Sequence, residues 1–240
     1  MAQLTWDAVA ERISAGAAAI LPIGAGAKEH GLHLPMNTDL IQAEWAADVI
    51  ATEFDALIWP VLTYGYYPAF VRYAGSLSLS EATFRSVLAD LIGGLQAQKV
   101  RKILVVNTGI STIPPAEAVV KAVVPSGQAH HLRLYDGPRL RSTRKELSEQ
   151  SYGSHADEME TSSMLALAPQ LVRMQRAQAS PDKGPFPGPL EPDDASSPAY
   201  SPSGSYGDPT LATPEKGERL IAAMRLDMID MARDALQPGS

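Results

Sequence analysis

Cysteine is absent from this 240-residue sequence. Its absence excludes disulfide bonds, thiolate nucleophiles and cysteine-ligated zinc, and it is compatible with a reducing cytoplasm. Long hydrophobic runs are also missing, since no segment reaches the roughly 20 apolar residues that a membrane span needs. The opening MAQLTWDAVAERI is interrupted by acidic residues and is typical of an amphipathic helix, not of a signal peptide. We therefore expect a cytoplasmic protein without a membrane partner.

Basic residues are scarce as well. The chain has 20 Lys and Arg against 27 Asp and Glu, a formal net charge of −7, and its cationic residues form no cluster. A nucleic-acid partner is disfavoured because phosphate binding requires clustered positive charge, and a small-molecule substrate fits better. With 45% hydrophobic residues the chain can bury one substantial core. We expect a single domain over residues 1–240.

Short apolar runs alternate with helical patterns along the chain. The predicted strands are Ala18–Ile23, Ala56–Val61, Lys102–Asn107 and His131–Tyr135. The predicted helices are Leu40–Thr52, Glu81–Gln98 after the cap residue Ser80, about Ala116–Val123, and a last helix from Pro214, after the cap residue Thr213, to about Leu236. This alternation is typical of βαβ units and predicts an α/β fold on a mostly parallel sheet.

A stretch dense in Pro, Gly and Ser extends over about 180–208 and shows no hydrophobic periodicity. It is too long for an ordinary connection in a compact domain. We expect an ordered loop over the active site or at a subunit contact, because Tyr200 and Tyr206 can pack. A partly disordered segment is the alternative.

The segment from Gly24 to Asp39 carries the strongest chemical signal. It gathers Glu29, His30, His33 and Asp39 directly after the first predicted strand, in a chain with only five histidines. Open α/β sheets place ligand sites at the carboxyl ends of strands, and imidazole and carboxylate groups are typical ligands of zinc and manganese. The pattern predicts a metal or acid–base site. In the structural alternative, His33 and Asp39 cap the next helix and His30 is a hydrogen-bonded structural residue.

A second cluster surrounds His155. If a helix begins near Ala156, His155 and Glu158 lie three residues apart on one face, and Glu160 points elsewhere. Such a pair can hold a metal or move a proton, and we assign His155 a catalytic role. In the structural alternative, Asp157, Glu158 and Glu160 complement the dipole at the helix N-terminus.

Two further segments are weaker signals. After the third strand, Asn107 and Ser111 can bond to a substrate, and the Gly109 backbone can stabilise a developing oxyanion. After the second strand, Tyr64 can line a pocket. Ordinary turns and surface packing explain these residues equally well.

Four motifs, in the same order, make the chain resemble the creatininase family across nearly its whole length. They are LPIGA…EHGLHLPMNTD at 21–39, YAGSLSLS at 73–80, HADEMETSSMLAL at 155–167 and GDPTLATPEKGE at 207–218. The resemblance implies a three-layer α/β/α fold, a homo-oligomer that is hexameric in the family, and two metal ions that activate a bridging water. His30 and Asp39 match family metal ligands, and His155 and Glu160 match a late segment whose histidine transfers protons.

The family pattern is broken at three positions. The family's first glutamate ligand falls on Lys28, unless an additional residue in this loop lets Glu29 take its place. Gly109 and Ser111 stand where the family has a histidine and, in creatininase itself, a glutamate. A lysine cation near the site opposes cation binding. With these departures, the resemblance implies one zinc or manganese ion, held by Glu29, His30 and Asp39, or no metal.

The resulting hypothesis is a small-molecule enzyme that acts on a C–N bond, hydrolysing a cyclic or linear amide. Catalysis is assigned to His155, Glu160 and Lys28. Substrate contacts are assigned to His33, Tyr64, Asn107, Ser111 and Glu158. One alternative is a cyclodehydratase, with or without metal, that closes a guanidino or amino carbonyl compound. Another is a non-catalytic binding or assembly subunit.

Overall fold

The computed structural model describes residues 1, 3–123, 128–181 and 188–237. Within these residues, four parallel strands form one sheet in the order β2-β1-β3-β4. The strands are β1 (Ala18–Ile23), β2 (Ala56–Ile58), β3 (Ile103–Asn107) and β4 (Ala129–Arg133). All four predicted strands are present. Strand β2 ends before the predicted Val61, where Pro60 has no N–H group to donate to a neighbouring strand, and β4 begins at Ala129 rather than His131.

Seven α-helices accompany the sheet in the described part of the chain. They are α1 (Trp6–Ala15), α2 (Thr38–Glu53), α3 (Glu81–Ala97), α4 (Ile113–Val123), α5 (Pro138–Leu147), α6 (Glu158–Leu167) and α7 (Pro214–Leu236). The predicted caps are confirmed, since Ser80 accepts a hydrogen bond from the Thr83 amide and Thr213 accepts one from the Lys216 amide. Helix α5 is not apparent in the sequence, because its residues are mostly polar and only Leu140 is buried.

Helices cover both faces of the sheet. On one face, Ile20 and Leu104 pack with side chains of α2, α5, α6 and α7. On the other face, Leu21 and Val105 pack against α3 and α4. Successive strand residues point to opposite faces, so β1 and β3 are buried along their whole length. This arrangement confirms the predicted three-layer α/β/α architecture. No helix among the described residues is both long and apolar enough to cross a membrane.

The carboxyl ends of β1 and β3 lie side by side and bring two loops together. A side chain at Gly24 would overlap the Asp39 carbonyl, so glycine lets the first turn of α2 approach the end of β1 closely. The Thr108 hydroxyl, just after β3, lies 3.1 Å from the Ile23 carbonyl and 3.2 Å from that of Asp39. The loop after β1 is therefore fixed at the sheet edge where α/β folds bind ligands.

Candidate active site

The loop after β1 is supported by the segment 73–80. The Leu77 amide donates to the Ala27 carbonyl at 3.1 Å, and the Glu29 amide donates to the Ser76 hydroxyl at 2.9 Å. Lys28 N–H donates to the Met36 carbonyl at 3.1 Å within the loop. These backbone contacts hold the side chains of residues 28–30 at the sheet edge.

Lys28 and Asp39 form a buried ion pair, which we call the Lys28 half of the site. Lys28 Nζ lies 2.7 Å from Asp39 Oδ2, and the two side chains are 7% and 1% exposed. The ammonium also lies 4.9 Å from the centre of the Phe70 ring, close enough for a cation–π contact. His30 Nε2 is 3.1 Å from the other Asp39 oxygen, and His30 Nδ1 is 2.9 Å from the Lys28 carbonyl. The Asp39 carboxylate is thus contacted from two sides.

Glu29, His155 and Glu160 form the His155 half of the site. His155 Nε2 lies 3.0 Å from Glu29 Oε2, and both side chains are buried. Glu160 approaches His155 Nδ1 with one oxygen and His30 Nε2 with the other, each at 4.0 Å. The His30 and His155 ring centres are 5.1 Å apart. The early loop and the late segment therefore converge, as the sequence hypothesis requires.

Backbone pairing with the segment 201–207 fixes His155. The Tyr206 amide donates to the His155 carbonyl at 2.8 Å, and the His155 amide donates back to Tyr206 at 3.3 Å. Gly204 has φ +84°, and a side chain there would overlap the Glu29 carboxylate. Within the predicted loop at about 180–208, the segment 201–207 thus lies against the site, while residues 182–187 of that prediction fall outside the described residues.

Helix α6 begins at Glu158, with Asp157 as its N-cap accepting from the Met159 and Glu160 amides. The expectation that His155 and Glu158 share a helix face is therefore wrong, because His155 precedes the helix. The expectation that Glu160 points elsewhere is also wrong, because one Glu160 oxygen lies 4.0 Å from His155 Nδ1. Glu158 instead pairs with Lys216 and accepts from the Gln150 amide at 2.9 Å. Its observed contacts are structural, and its role in substrate binding stays a prediction.

The surroundings shift several pKa values. Burial opposes the charged form of Asp39, but Lys28 and His30 outweigh it and hold the pKa of this carboxyl well below its usual range. Burial lowers the pKa of His33 to about 4, against the opposing charges of Glu160 and Glu29. Burial, with the nearby charge of Glu160, raises the pKa of Tyr135 well above its usual value. His33 is therefore neutral at physiological pH.

The donor set fits one metal ion better than two. Nitrogen and oxygen atoms of His30, His155 and Glu160 lie within 4.8 Å of one another, which suits a single zinc or manganese ion. A second ion would need Asp39 Oδ2, which Lys28 already contacts. A side chain at Gly109 would lie 2.7 Å from Thr112 Oγ1 and 3.3 Å from the Tyr67 ring, leaving no room there for an imidazole.

The predicted substrate contacts after the other strands have local partners. Asn107 Oδ1 accepts from the Gly109 amide at 3.0 Å and from the Thr112 hydroxyl at 2.8 Å. The Gly109 amide is thus used within the turn, which favours the ordinary-turn interpretation of this segment over an oxyanion contact. Ser111 Oγ donates to the Tyr66 carbonyl at 2.8 Å, and Tyr64 is half exposed. Substrate roles for Asn107, Ser111 and Tyr64 stay predictions.

Several neighbours of the site carry no sequence signal of their own. Phe70 stacks on His155 with ring centres 4.2 Å apart. His33 Nε2 bonds to Thr161 Oγ1 at 2.8 Å, and Thr161 follows Glu160 on α6. Ser205 lies over the site from the late loop. Single aromatic or hydroxyl residues like these are too common to stand out, although Thr161 and Ser205 lie in or beside the motifs at 155–167 and 207–218.

Comparison with known proteins gives a consistent result. A family model described as creatinine amidohydrolase matches residues 2–232. Creatinine amidohydrolase of Pseudomonas putida is 26% identical over 98% of this chain and 96% of its own length. A mycofactocin precursor peptide peptidase of Mycobacterium ulcerans is 26% identical over 88% of this chain and 82% of its own length.

The solved structures agree with the sequence relatives. A structure described as creatininase Mn superposes with a TM-score of 0.80 and 26% identity, covering 99% of this chain and 98% of that one. The matches extend over nearly the whole chain and include the four motifs and the sheet edge that carries the site. The chain belongs to the creatininase family.

Proposed function

We propose that this protein is an amide hydrolase that acts on the C–N bond of a small molecule or short peptide. The observation that carries the proposal is the charge imbalance of the His155 half. Glu29 and Glu160 face two imidazoles there, and among the described residues neither carboxylate pairs with a lysine or arginine. Buried carboxylates in proteins are paired or coordinate metal ions, so this half suits an added cation. The names of the amidohydrolase and peptidase relatives support an amide as the target.

The proposed cofactor is one zinc or manganese ion, with His30 and Glu160 as its ligands. When bound, such an ion polarises a carbonyl oxygen and lowers the pKa of a bound water. Lys28 supplies the other positive charge of the site and neutralises Asp39.

In this proposal His155 carries the proton transfers. We assign its Nε2 as the hydrogen-bond donor, because the facing Glu29 carboxylate can only accept. Glu29 thereby orients the imidazole ring, and Nδ1 is left as the basic nitrogen, 4.0 Å from Glu160. Nδ1 takes a proton from the attacking water and returns it to the leaving amine nitrogen.

The test is turnover of two probes, creatinine as a cyclic amide and N-acetylglycine as a linear one, with zinc- or manganese-loaded protein. His155→Ala should lower turnover of the cleaved probe about 10²- to 10⁴-fold, while metal analysis shows the ion retained. His130→Ala, on β4, is the matched control and should leave turnover unchanged. Unchanged turnover in His155→Ala would contradict the proposal, as would no cleavage of either probe. Loss of the ion from His155→Ala would instead make this residue a ligand.

Ring closure by cyclodehydration is a second candidate, and the Lys28–Asp39 ion pair favours it. Lys28 leaves no place for a second ion on Asp39, and loss of water from an open amine and carbonyl needs no activated water. Creatinine formation from creatine by chelator-treated protein would support this candidate. Activity that disappears with the chelator and returns with zinc or manganese would support the hydrolase.

Assembly, organisation and location also remain proposals. The family resemblance favours a homo-oligomer. The composition favours one domain over residues 1–240 and a cytoplasmic protein with a small-molecule substrate.

A further inference from the structure

A pocket lies beside the site. Its volume is about 410 Å³, and its walls come from residues 31–36 of the loop after β1 and from residues 170–176 after α6. This volume lies within the roughly 300–1,000 Å³ range of small-molecule sites. The pocket is therefore large enough for part of a small substrate.

The pocket shares its inner wall with the His155 half. Gly31 lines the pocket, and its amide donates to the Glu29 carboxylate that contacts His155. His33 also lines the pocket, and its Nε2 is hydrogen-bonded to the hydroxyl of Thr161, the residue that follows Glu160 on α6. The Glu29 carboxylate thus links the pocket wall at Gly31 to His155, the proposed base.

His33 presents a buried polar atom without a partner at this wall. The side chain is 1% exposed, and its Nδ1 has no hydrogen bond among the described residues. The hydroxyl of Ser205, which is fully buried, is also unpartnered within the described chain. Both atoms lie over the same side of Gly31, since a methyl group there would be 2.8 Å from Nδ1 and 2.7 Å from Oγ. Unpartnered buried polar atoms are rare in folded proteins. The free Nδ1 of His33 at the pocket wall therefore indicates a place for a polar ligand atom.

The charge of the pocket selects the kind of ligand. Arg173 and Arg176 line it, and no acidic residue does. Both arginines are exposed, and neither forms an ion pair within the described residues, whereas most other arginines there do. The Arg173 amide donates to the His33 carbonyl at 2.8 Å, which ties the arginine segment to the pocket wall. Guanidinium groups match planar carboxylates with two parallel hydrogen bonds.

We infer that this pocket is the specificity subsite for a substrate carboxylate. Arg173 and Arg176 bind the carboxylate, and His33 meets a polar atom of the substrate between that group and the bond that reacts. The inference rests on the proposed function, which supplies the amide. The pocket adds that this amide carries a carboxylate group. Binding can nevertheless be measured without turnover.

The experiment is calorimetric binding to the full chain of N-acetylglycine and of its neutral analogue N-acetylglycinamide. The acid should bind about tenfold or more tightly than the amide, and Arg173→Ala/Arg176→Ala should remove this preference. Arg101→Ala is the matched control, because Arg101 is also exposed but precedes β3 at the opposite edge of the sheet; it should bind the acid like the native chain. Melting temperatures of the variants verify folding.

Three results would overturn the inference: no binding of the acid, equal binding of acid and amide, or an unchanged preference in the double variant. Tighter binding of inorganic phosphate than of N-acetylglycine would overturn the assignment to a carboxylate. Failure of the proposed function is distinguishable, since it would leave arginine-dependent binding intact and abolish only turnover.

Discussion

The two halves of the site are built from the same kinds of group but differ in charge balance. In the Lys28 half, one buried carboxylate meets one buried ammonium at 2.7 Å. In the His155 half, two carboxylates share imidazole partners at 3.0 to 4.0 Å. A balanced ion pair is not stabilised further by an added ion, whereas an excess of buried negative charge is stabilised by an added cation. The two halves thus differ in charge balance, and the proposed function places the chemistry in the half with the excess negative charge.

Breaking the Lys28 half should give the largest effect on stability. Lys28→Met removes the ammonium and leaves Asp39 buried beside only His30, so we expect a loss of about 3–5 kcal/mol in the free energy of unfolding. Denaturant unfolding at pH 7 measures it. Lys121→Met is the matched control on an exposed ion pair with Glu117, where the loss should be about 0.5 kcal/mol.

The double variant Lys28→Met/Asp39→Asn sharpens this test. It removes both charges, so it should recover much of the stability that Lys28→Met alone loses. A double variant as unstable as the sum of its single changes would show that the two side chains are not coupled, and the Lys28 half would no longer be a balanced pair.

Protonation of His33 should have the next largest effect. Burial lowers its pKa to about 4 from an ordinary 6.5, so the unfolded chain binds this proton more readily than the folded one. The free energy of unfolding should therefore fall as the pH drops from 6.5 towards 4, by up to about 3 kcal/mol from this group. Unfolding at pH 7 and pH 4.5 measures the fall. His33→Gln should show a smaller fall, and an identical fall would contradict the prediction.

A side chain at Gly204 should disturb the His155 half selectively. Gly204→Ala places a methyl group against the Glu29 carboxylate at a backbone φ of +84°, and the conformation alone costs about 1–2 kcal/mol. Because Glu29 orients His155, turnover should fall by more than stability explains, about tenfold or more. Gly188→Ala has a similar φ of +107° but open space around it, and it should leave turnover unchanged.

Removing a helix cap that contacts neither half should have the smallest effect. Ser80→Ala deletes the hydroxyl that accepts from the Thr83 amide at the start of α3, for a loss of about 1 kcal/mol. Unfolding measures the loss, and turnover should be unchanged. A fall in turnover would mean that α3 is coupled to the site, and that the contrast between the two halves is not local.

The fold was largely predictable because its signals are local. The apolar run of β1 and the Thr213–Pro214 start of α7 are written in consecutive residues, and both appear at the predicted positions. Helix α5 was not predicted, because a mostly polar segment can be helical when its neighbours supply the packing. Local patterns predict elements well when each element carries its own apolar face.

The site was predictable in outline but not in its pairings. Parallel strands end at one edge, which brings residues after β1 and β3 together. The sequence does not show that Lys28 reaches Asp39, nor that Glu29 turns to His155, 126 residues away. The interpretation of His155 and Glu158 failed because Asp157 took the cap position and moved the helix start. Such pairings depend on backbone direction, which spacing alone does not give.

The ammonium of Lys28 has a consequence for how the site depends on its surroundings. A metal ion can dissociate and must be acquired again, but a lysine is tethered to the chain by covalent bonds. The charge that holds Asp39 in place is therefore independent of the supply of divalent ions. Under metal scarcity the Lys28–Asp39 pair therefore keeps its shape.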